Sequence, residues 1–115
     1  MLITYNKLGR RRGGVPRLWL ENHRLAQLGF TAQTPISITR SASGVGVTLR
    51  PTSEATRNRV SSRQVALISC PVIDINHSSS LQPLNGYDEL KVAVSQNQIT
   101  VTPSPPSRDV PARLR

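Results

Sequence analysis

Acidic residues, aromatic residues and cysteine are all scarce in this sequence. Its 115 residues include one cysteine, four aromatic residues and six Asp or Glu, against fifteen Lys or Arg. The lone Cys70 excludes an internal disulfide and a cysteine-based zinc cluster. Because Cys70 lies in the apolar run 65–75, we expect a buried and unreactive thiol.

Long apolar runs are missing as well. No stretch approaches the roughly 18 apolar residues that a membrane span needs. The first residues also lack a signal-peptide pattern, since cations follow the short apolar start instead of preceding a longer apolar run. We therefore expect a cytoplasmic protein that makes no contact with a membrane.

Positive charge is abundant and unevenly distributed. The formal net charge is +9, and thirteen of the fifteen cations are arginine. Residues 1–63 contain eleven Lys or Arg and two acids, whereas residues 64–115 contain four of each sign. Arginine matches phosphate oxygens with a planar fork of donors, so this balance predicts a polyanionic partner. The alternative is a solvated basic surface that only confers solubility.

Two stretches of the chain follow the same order of residue types, namely Val15–Thr52 and Cys70–Ser104. Pro16 corresponds to Pro71, Gly29-Phe30 to Gly86-Tyr87, and a closing apolar-Thr-apolar segment ends both stretches. We interpret this as an internal duplication. The predicted single domain covers residues 1–102, with repeat one at 1–52, a linker at 53–64 and repeat two at 65–102. A proline-rich tail, extended or disordered, follows at 103–115. Chance similarity between two hairpin-rich halves is the alternative.

Each repeat is predicted to contain a strand, a short helix and a hairpin. In repeat one, the strand covers 15–20, Asn22 caps a helix that ends at Gly29, and the hairpin covers 34–49. In repeat two, the strand covers 66–75, a helical turn surrounds Leu81, and the hairpin covers 90–102. The fold class is therefore mainly β with short helices.

This order of elements resembles the swapped-hairpin β-barrel superfamily, which includes the AbrB and MazE DNA-binding proteins. Within it, residues 15–52 are most similar to the SymE-type family, in which a proline-rich entry and Trp-Leu precede a short helix ending in Gly-Phe. The resemblance implies a barrel in which the two repeats of one chain replace two identical chains, a single-chain pseudodimer. Its DNA contacts would fall on an arginine-rich loop and the strand and helix after it: Arg10, Arg11, Arg12, Arg17 and Arg24.

Repeat two departs from this pattern, because it lacks an arginine-rich loop and has Asp74 on its strand. A symmetric DNA-binding surface would then require a homodimer that pairs two basic halves. The end of the linker adds a second basic patch at Arg57, Arg59 and Arg63. For Trp19 we predict a core position, with an exposed base-stacking position as the alternative.

Catalytic and metal-binding patterns are weak. His23 and His77 are too few for a structural metal site, no nucleophile elbow occurs, and no phosphate-binding glycine motif occurs. We therefore predict no metal, no cofactor and no catalytic residue.

The leading prediction is a non-enzymatic nucleic-acid-binding protein, with duplex DNA preferred over RNA, acting as a regulator or toxin of a bacterium or mobile element. One alternative is a small protein–protein inhibitor or adaptor, from a phage or mobile element, that acts on a host complex. A second alternative is a ribonuclease toxin of the SymE type that uses His23.

Overall fold

The computed structural model describes residues 1–10, 14–42, 44–54, 56, 58–77 and 79–104. Within these ranges the chain is mainly β, with short helices, as predicted. The elements are β1 Leu2–Lys7, β2 Gly9–Arg10, β3 Pro16–Glu21, α1 Arg24–Gln27, β4 Ile36–Arg40, β5 Val47–Pro51, β6 Ser61–Val65, β7 Ile68–Ile75, a 3-10 helix Gln82–Leu84, β8 Glu89–Ser95 and β9 Gln98–Pro103. Of the predicted tail, residues 105–115 lie outside the described residues.

Five strands form one antiparallel sheet in the order β1-β8-β9-β5-β4. The two predicted hairpins, β4–β5 and β8–β9, lie side by side because β5 pairs with β9. At the centre of this contact Thr48 is opposite Thr100, with Val47 opposite Val101 on one side and Leu49 opposite Ile99 on the other. β1 adds to the outer edge of β8.

The remaining four strands form a second antiparallel sheet in the order β2-β3-β7-β6. At its centre Trp19 is opposite Asp74, flanked by the pairs Leu18–Ile75 and Leu20–Ile73. Strand β6 occupies residues 61–65, which include the end of the segment predicted to be a linker. The single strand predicted for 66–75 is instead β7, preceded by a tight turn from β6.

The two sheets meet at two corners. Between β1 and β2 the buried Leu8 donates its amide hydrogen to the carbonyl of Asp88 over 2.9 Å. At the other corner the buried Val60 donates to the carbonyl of Thr34, also over 2.9 Å. The first bond extends the β1–β8 pairing by one residue, and the second lies beside an isolated bridge between Pro35 and Arg59. Neither contact adds a strand pair between the two sheets. The described strands therefore form two sheets, and the closed barrel implied by the resemblance is not present among them.

Alternation along the strands places one face of each sheet in a shared core. Strand β8 alternates between exposed or half-buried residues and buried Leu90, Val92 and Val94, the pattern of a sheet with one covered face. Burying an aliphatic side chain contributes roughly 1.5–3 kcal/mol, so this core is the main source of stability. It comprises Leu8, Leu18, Leu20, Leu25, Phe30, Ile36, Val47, Leu49, Val60, Ile73, Ile75, Leu81, Leu84, Leu90, Val92, Val94, Ile99 and Val101.

Helix α1 lies within the segment predicted to be helical and packs on this core. Its N-cap position is His23, one residue after the predicted Asn22. The side-chain oxygen of Asn22 accepts a hydrogen bond from the Arg24 amide over 2.8 Å. Gly29 follows with a φ of +102°, and the Phe30 amide bonds back to the Leu25 carbonyl over 2.9 Å. Leu25 and Phe30 are both fully buried. With four residues the helix depends on this packing for its stability.

Candidate nucleic-acid interface

Arg10 ends the short strand β2, immediately before the sequence segment that contains Arg11 and Arg12. Arg10 pairs with Pro16 of β3, and the preceding Gly9 pairs with Arg17. These two pairs attach β2 to the second sheet. The nearest acid is Asp88, 4.0 Å away and almost fully exposed. An exposed pair at that distance neutralises little charge, so Arg10 remains available to an anion.

Arg17 is engaged within the chain. Its guanidinium donates two hydrogen bonds to the Asp74 carboxylate, over 2.8 and 2.9 Å, and lies 4.9 Å from the centre of the Trp19 ring. The hydrogen bonds to Asp74, together with its Coulomb attraction, raise the pKa of Arg17. The sequence analysis treated Arg17 as a phosphate ligand and Asp74 as a separate departure, but the two form one ion pair.

Trp19 lies on the outer face of the second sheet, so its predicted core position is wrong. It is 40% exposed, whereas its strand neighbours Leu18 and Leu20 are buried. A strand presents successive side chains to opposite faces, and β3 turns its two leucines inward. The indole nitrogen donates to Glu21 over 3.2 Å.

Arg63 is the second cation that an acid neutralises. One of its terminal nitrogens lies 3.2 and 3.3 Å from the two oxygens of the Glu21 carboxylate. Cys70 is directly opposite Arg63 on β7 and is buried, as expected. Burial raises the pKa of the Cys70 thiol, the Glu21 carboxylate raises it further, and Arg63 opposes the change. The thiol therefore stays protonated and is a poor nucleophile.

The other predicted contact residues are dispersed. Arg24 is exposed on α1, and Arg59 is exposed at the corner of the sheets, where it donates to the Gln33 carbonyl over 3.1 Å. Arg11, Arg12 and Arg57 lie outside the described residues. Exposed cations that the sequence analysis did not select are found on the first sheet, at Lys7, Arg40, Arg50 and Lys91.

The sequence analysis also missed a surface at the turn between β6 and β7. Leu67 is 96% exposed there, with Val65 and Ile68 exposed beside it. Ala66 adopts a φ of +57° to make the turn. No Gly, Asn or Pro marks this turn in the sequence, which is why 66–75 was interpreted as one strand.

Among the residues that the structure describes, no group of three or more potential metal ligands comes together. His23 is exposed at the start of α1, and His77 is half-buried before the 3-10 helix. No helix in the described ranges is long and apolar enough to cross a membrane.

Comparison of the chain with protein-family models, curated proteins and solved structures finds no match. The resemblance to the SymE-type family therefore remains a prediction from residues 15–52.

Proposed function

We propose that this is a non-enzymatic DNA-binding protein in which one duplicated chain supplies both halves of the DNA-binding fold. The observation that carries the proposal is the distribution of neutralised charge. Among the described residues, ion pairs to the acids of the second sheet, Asp74 and Glu21, engage Arg17 and Arg63, whereas Arg10 meets only a distant, exposed acid. Together with Arg11 and Arg12 in the sequence, Arg10 gives the loop after β2 three consecutive arginines.

The duplication is supported by the register of the central pairs in the second sheet. A shift of 55 residues carries Leu18 onto Ile73 and Leu20 onto Ile75, so it converts the pair Leu18–Ile75 into the pair Leu20–Ile73. The same shift exchanges Trp19 and Asp74, which are opposite each other. Any antiparallel pair of strands has such a centre, so the support comes from where the centre lies. The shift of 55 residues is the one that sets Pro16 against Pro71 in the sequence, and it places the centre at Trp19 and Asp74, as expected for equivalent strands related by a twofold axis.

The first sheet supports the duplication independently. A shift of 52 residues carries Val47 onto Ile99 and Leu49 onto Val101. It therefore relates the pair Val47–Val101 to the pair Leu49–Ile99, with Thr48 and Thr100 at the centre. The corner residues Leu8 and Val60 are also 52 positions apart, and each donates its amide to a loop carbonyl. Matching pairs at both centres, with equivalent donors Leu8 and Val60 at the corners, are the arrangement expected of a single-chain pseudodimer. The corner acceptors, Asp88 and Thr34, are not related by the same shift.

A titration of duplex DNA binding against salt tests the proposed function. If the protein neutralises about five phosphates, log K falls with log[salt] at a slope of about −4 to −5. The variant R10A/R11A/R12A is expected to flatten the slope by roughly two to three units, because three phosphate contacts are lost.

The control variant K7A/R40A/R50A removes the same charge from exposed positions on the first sheet. It is expected to lower the affinity for DNA slightly, because the protein's overall positive potential is weaker. The slope of log K against log[salt] should stay within about one unit of the wild-type value. Equal flattening by both variants would show that net charge, and not the loop, determines binding. Wild-type protein that leaves the duplex free at low salt would refute the function.

A further inference from the structure

Strands β6 and β7 continue as a two-stranded ribbon beyond the end of β3. The last pair between β3 and β7 is Glu21–Val72, but the pairing of β6 with β7 runs on to Val65–Ile68. This ribbon spans residues 61–72. It presents small or polar exposed side chains along β6, and Ser69 is exposed on β7.

Aliphatic side chains form the apex of the ribbon. Leu67 is almost fully exposed, and Val65 and Ile68 are exposed next to it. Scattered exposed aliphatic residues are ordinary, but three of them together on a projecting turn form a compact apolar tip. A partner that covers such a tip lowers the free energy, because it removes apolar surface from water.

We propose that this apex is an apolar wedge that enters a base step of duplex DNA and bends the duplex. The inference rests on the DNA-binding function proposed above. Proteins that bend DNA commonly insert aliphatic side chains between base pairs, and a two-stranded ribbon fits into a DNA groove. Serine and glutamine side chains on the sides of the ribbon suit contacts to the phosphate backbone.

The distance between the apex and Arg10 favours duplex DNA as the partner. By the strand register, the Arg10–Pro16 pair and the Leu67 apex are separated by about ten residues of extended strand, or roughly 33 Å. One turn of duplex DNA measures about 34 Å. A duplex that lies along β3 and β7 would thus reach Arg10 at one end and the wedge at the other.

Two other partners fit the apex less well. An anionic membrane would meet only the apex, where the neighbouring Arg63 is paired with Glu21, whereas a duplex one turn long also reaches Arg10. A second copy of the chain would need a total buried area above about 1,000 Å², more than three aliphatic side chains provide.

The test compares L67S with the control I3T in the full-length protein. Ile3 is also an exposed aliphatic residue, but it lies on β1 of the other sheet. The probe is a 30-base-pair duplex with a fluorophore at each end and 2-aminopurine at internal positions. Wild-type protein and I3T are expected to bring the ends closer and to raise 2-aminopurine fluorescence as a base step unstacks. L67S should lose both signals and bind about tenfold more weakly, because the buried leucine is lost.

The outcomes separate this inference from the proposed function. If the wild type binds with the expected salt slope but L67S bends the duplex as well as I3T does, the wedge is refuted and DNA binding stands. If the wild type does not bind duplex DNA, both proposals fail. Sedimentation provides a further check: a dimer that L67S dissociates would make the apex a self-association surface and would also refute the wedge.

Discussion

The segment after β2 and the ribbon β6–β7 differ in sequence, although β2 and β6 pair with the two central strands in the same way. Each leads into a strand of the central pair, before Pro16 in one case and before Pro71 in the other. The first carries consecutive arginines in the sequence, and the second ends in aliphatic residues. The comparison teaches that similar backbone pairing can precede two segments of different chemistry, one rich in arginine and one aliphatic.

The sequence analysis treated the absence of an arginine-rich loop as the departure of repeat two from the family pattern. Repeat two lacks the arginines, but it has a projection of its own in the ribbon. Asp74, which the sequence analysis regarded as a departure from the DNA-binding pattern, instead holds Arg17 beside Trp19 on the outer face of the second sheet.

The largest expected difference is in the free energy of unfolding that is lost when the aromatic residue after each short helix is replaced by alanine. Phe30 is fully buried, whereas its sequence counterpart Tyr87 is 45% exposed. Phe30→Ala should lower the free energy of unfolding by about 3–5 kcal/mol through loss of burial and creation of a cavity. Tyr87→Ala should lower it by less than about 1 kcal/mol, because an exposed ring leaves no cavity. Urea denaturation measures both values, and equal losses would contradict the burial difference.

The glycines that precede these aromatic residues give the next largest difference. Both have positive φ, +102° at Gly29 and +91° at Gly86, so alanine is strained at either position. An added methyl group at Gly29 would collide with the side chain of Asn97, whereas at Gly86 it would meet open space. Gly29→Ala should therefore cost about 2–3 kcal/mol and Gly86→Ala about 1 kcal/mol.

The same denaturation experiment decides this comparison, with the m-value checked for each variant. A loss at Gly86 as large as the loss at Gly29 would mean that backbone strain alone, without the contact to Asn97, accounts for both.

Much of the fold could be predicted from local patterns, because the patterns carry the physics that forms the elements. Alternating aliphatic residues predicted both hairpins, and Asn22 with Gly29 predicted a short helix between them, where α1 runs from Arg24 to Gln27. The position of Trp19 could not be predicted, because an alternating strand does not say which face is turned inward. The pairing of Arg17 with Asp74 depends on the register of β3 with β7, which no local pattern encodes.

The sequence contains a repeated pattern at the two corners where the sheets meet, and the sequence analysis missed it. Thr4-Tyr5-Asn6-Lys7-Leu8 and Thr56-Arg57-Asn58-Arg59-Val60 share a Thr-x-Asn-cation-aliphatic pattern. The two segments end at Leu8 and Val60, the buried residues of the two corners. Aligning them starts repeat two within the predicted linker, and it predicts that the segment before β7 corresponds to the arginine-rich loop.

The smallest expected change in the free energy of unfolding comes from glycine substitutions in two hairpin turns, at Ala66 before β7 and at Asn97 before β9. Both residues have left-handed backbone conformations, with φ of 57° and 61°. Asparagine tolerates this conformation and alanine does not, because the short amide side chain can bond locally whereas a methyl group only adds crowding. Ala66→Gly should thus raise the free energy of unfolding by about 0.5–1 kcal/mol, and Asn97→Gly should bring no gain. Thermal unfolding at matched protein concentration measures both. A gain at Asn97, or a loss at Ala66, would show that the two turns do not differ in strain as their residues imply.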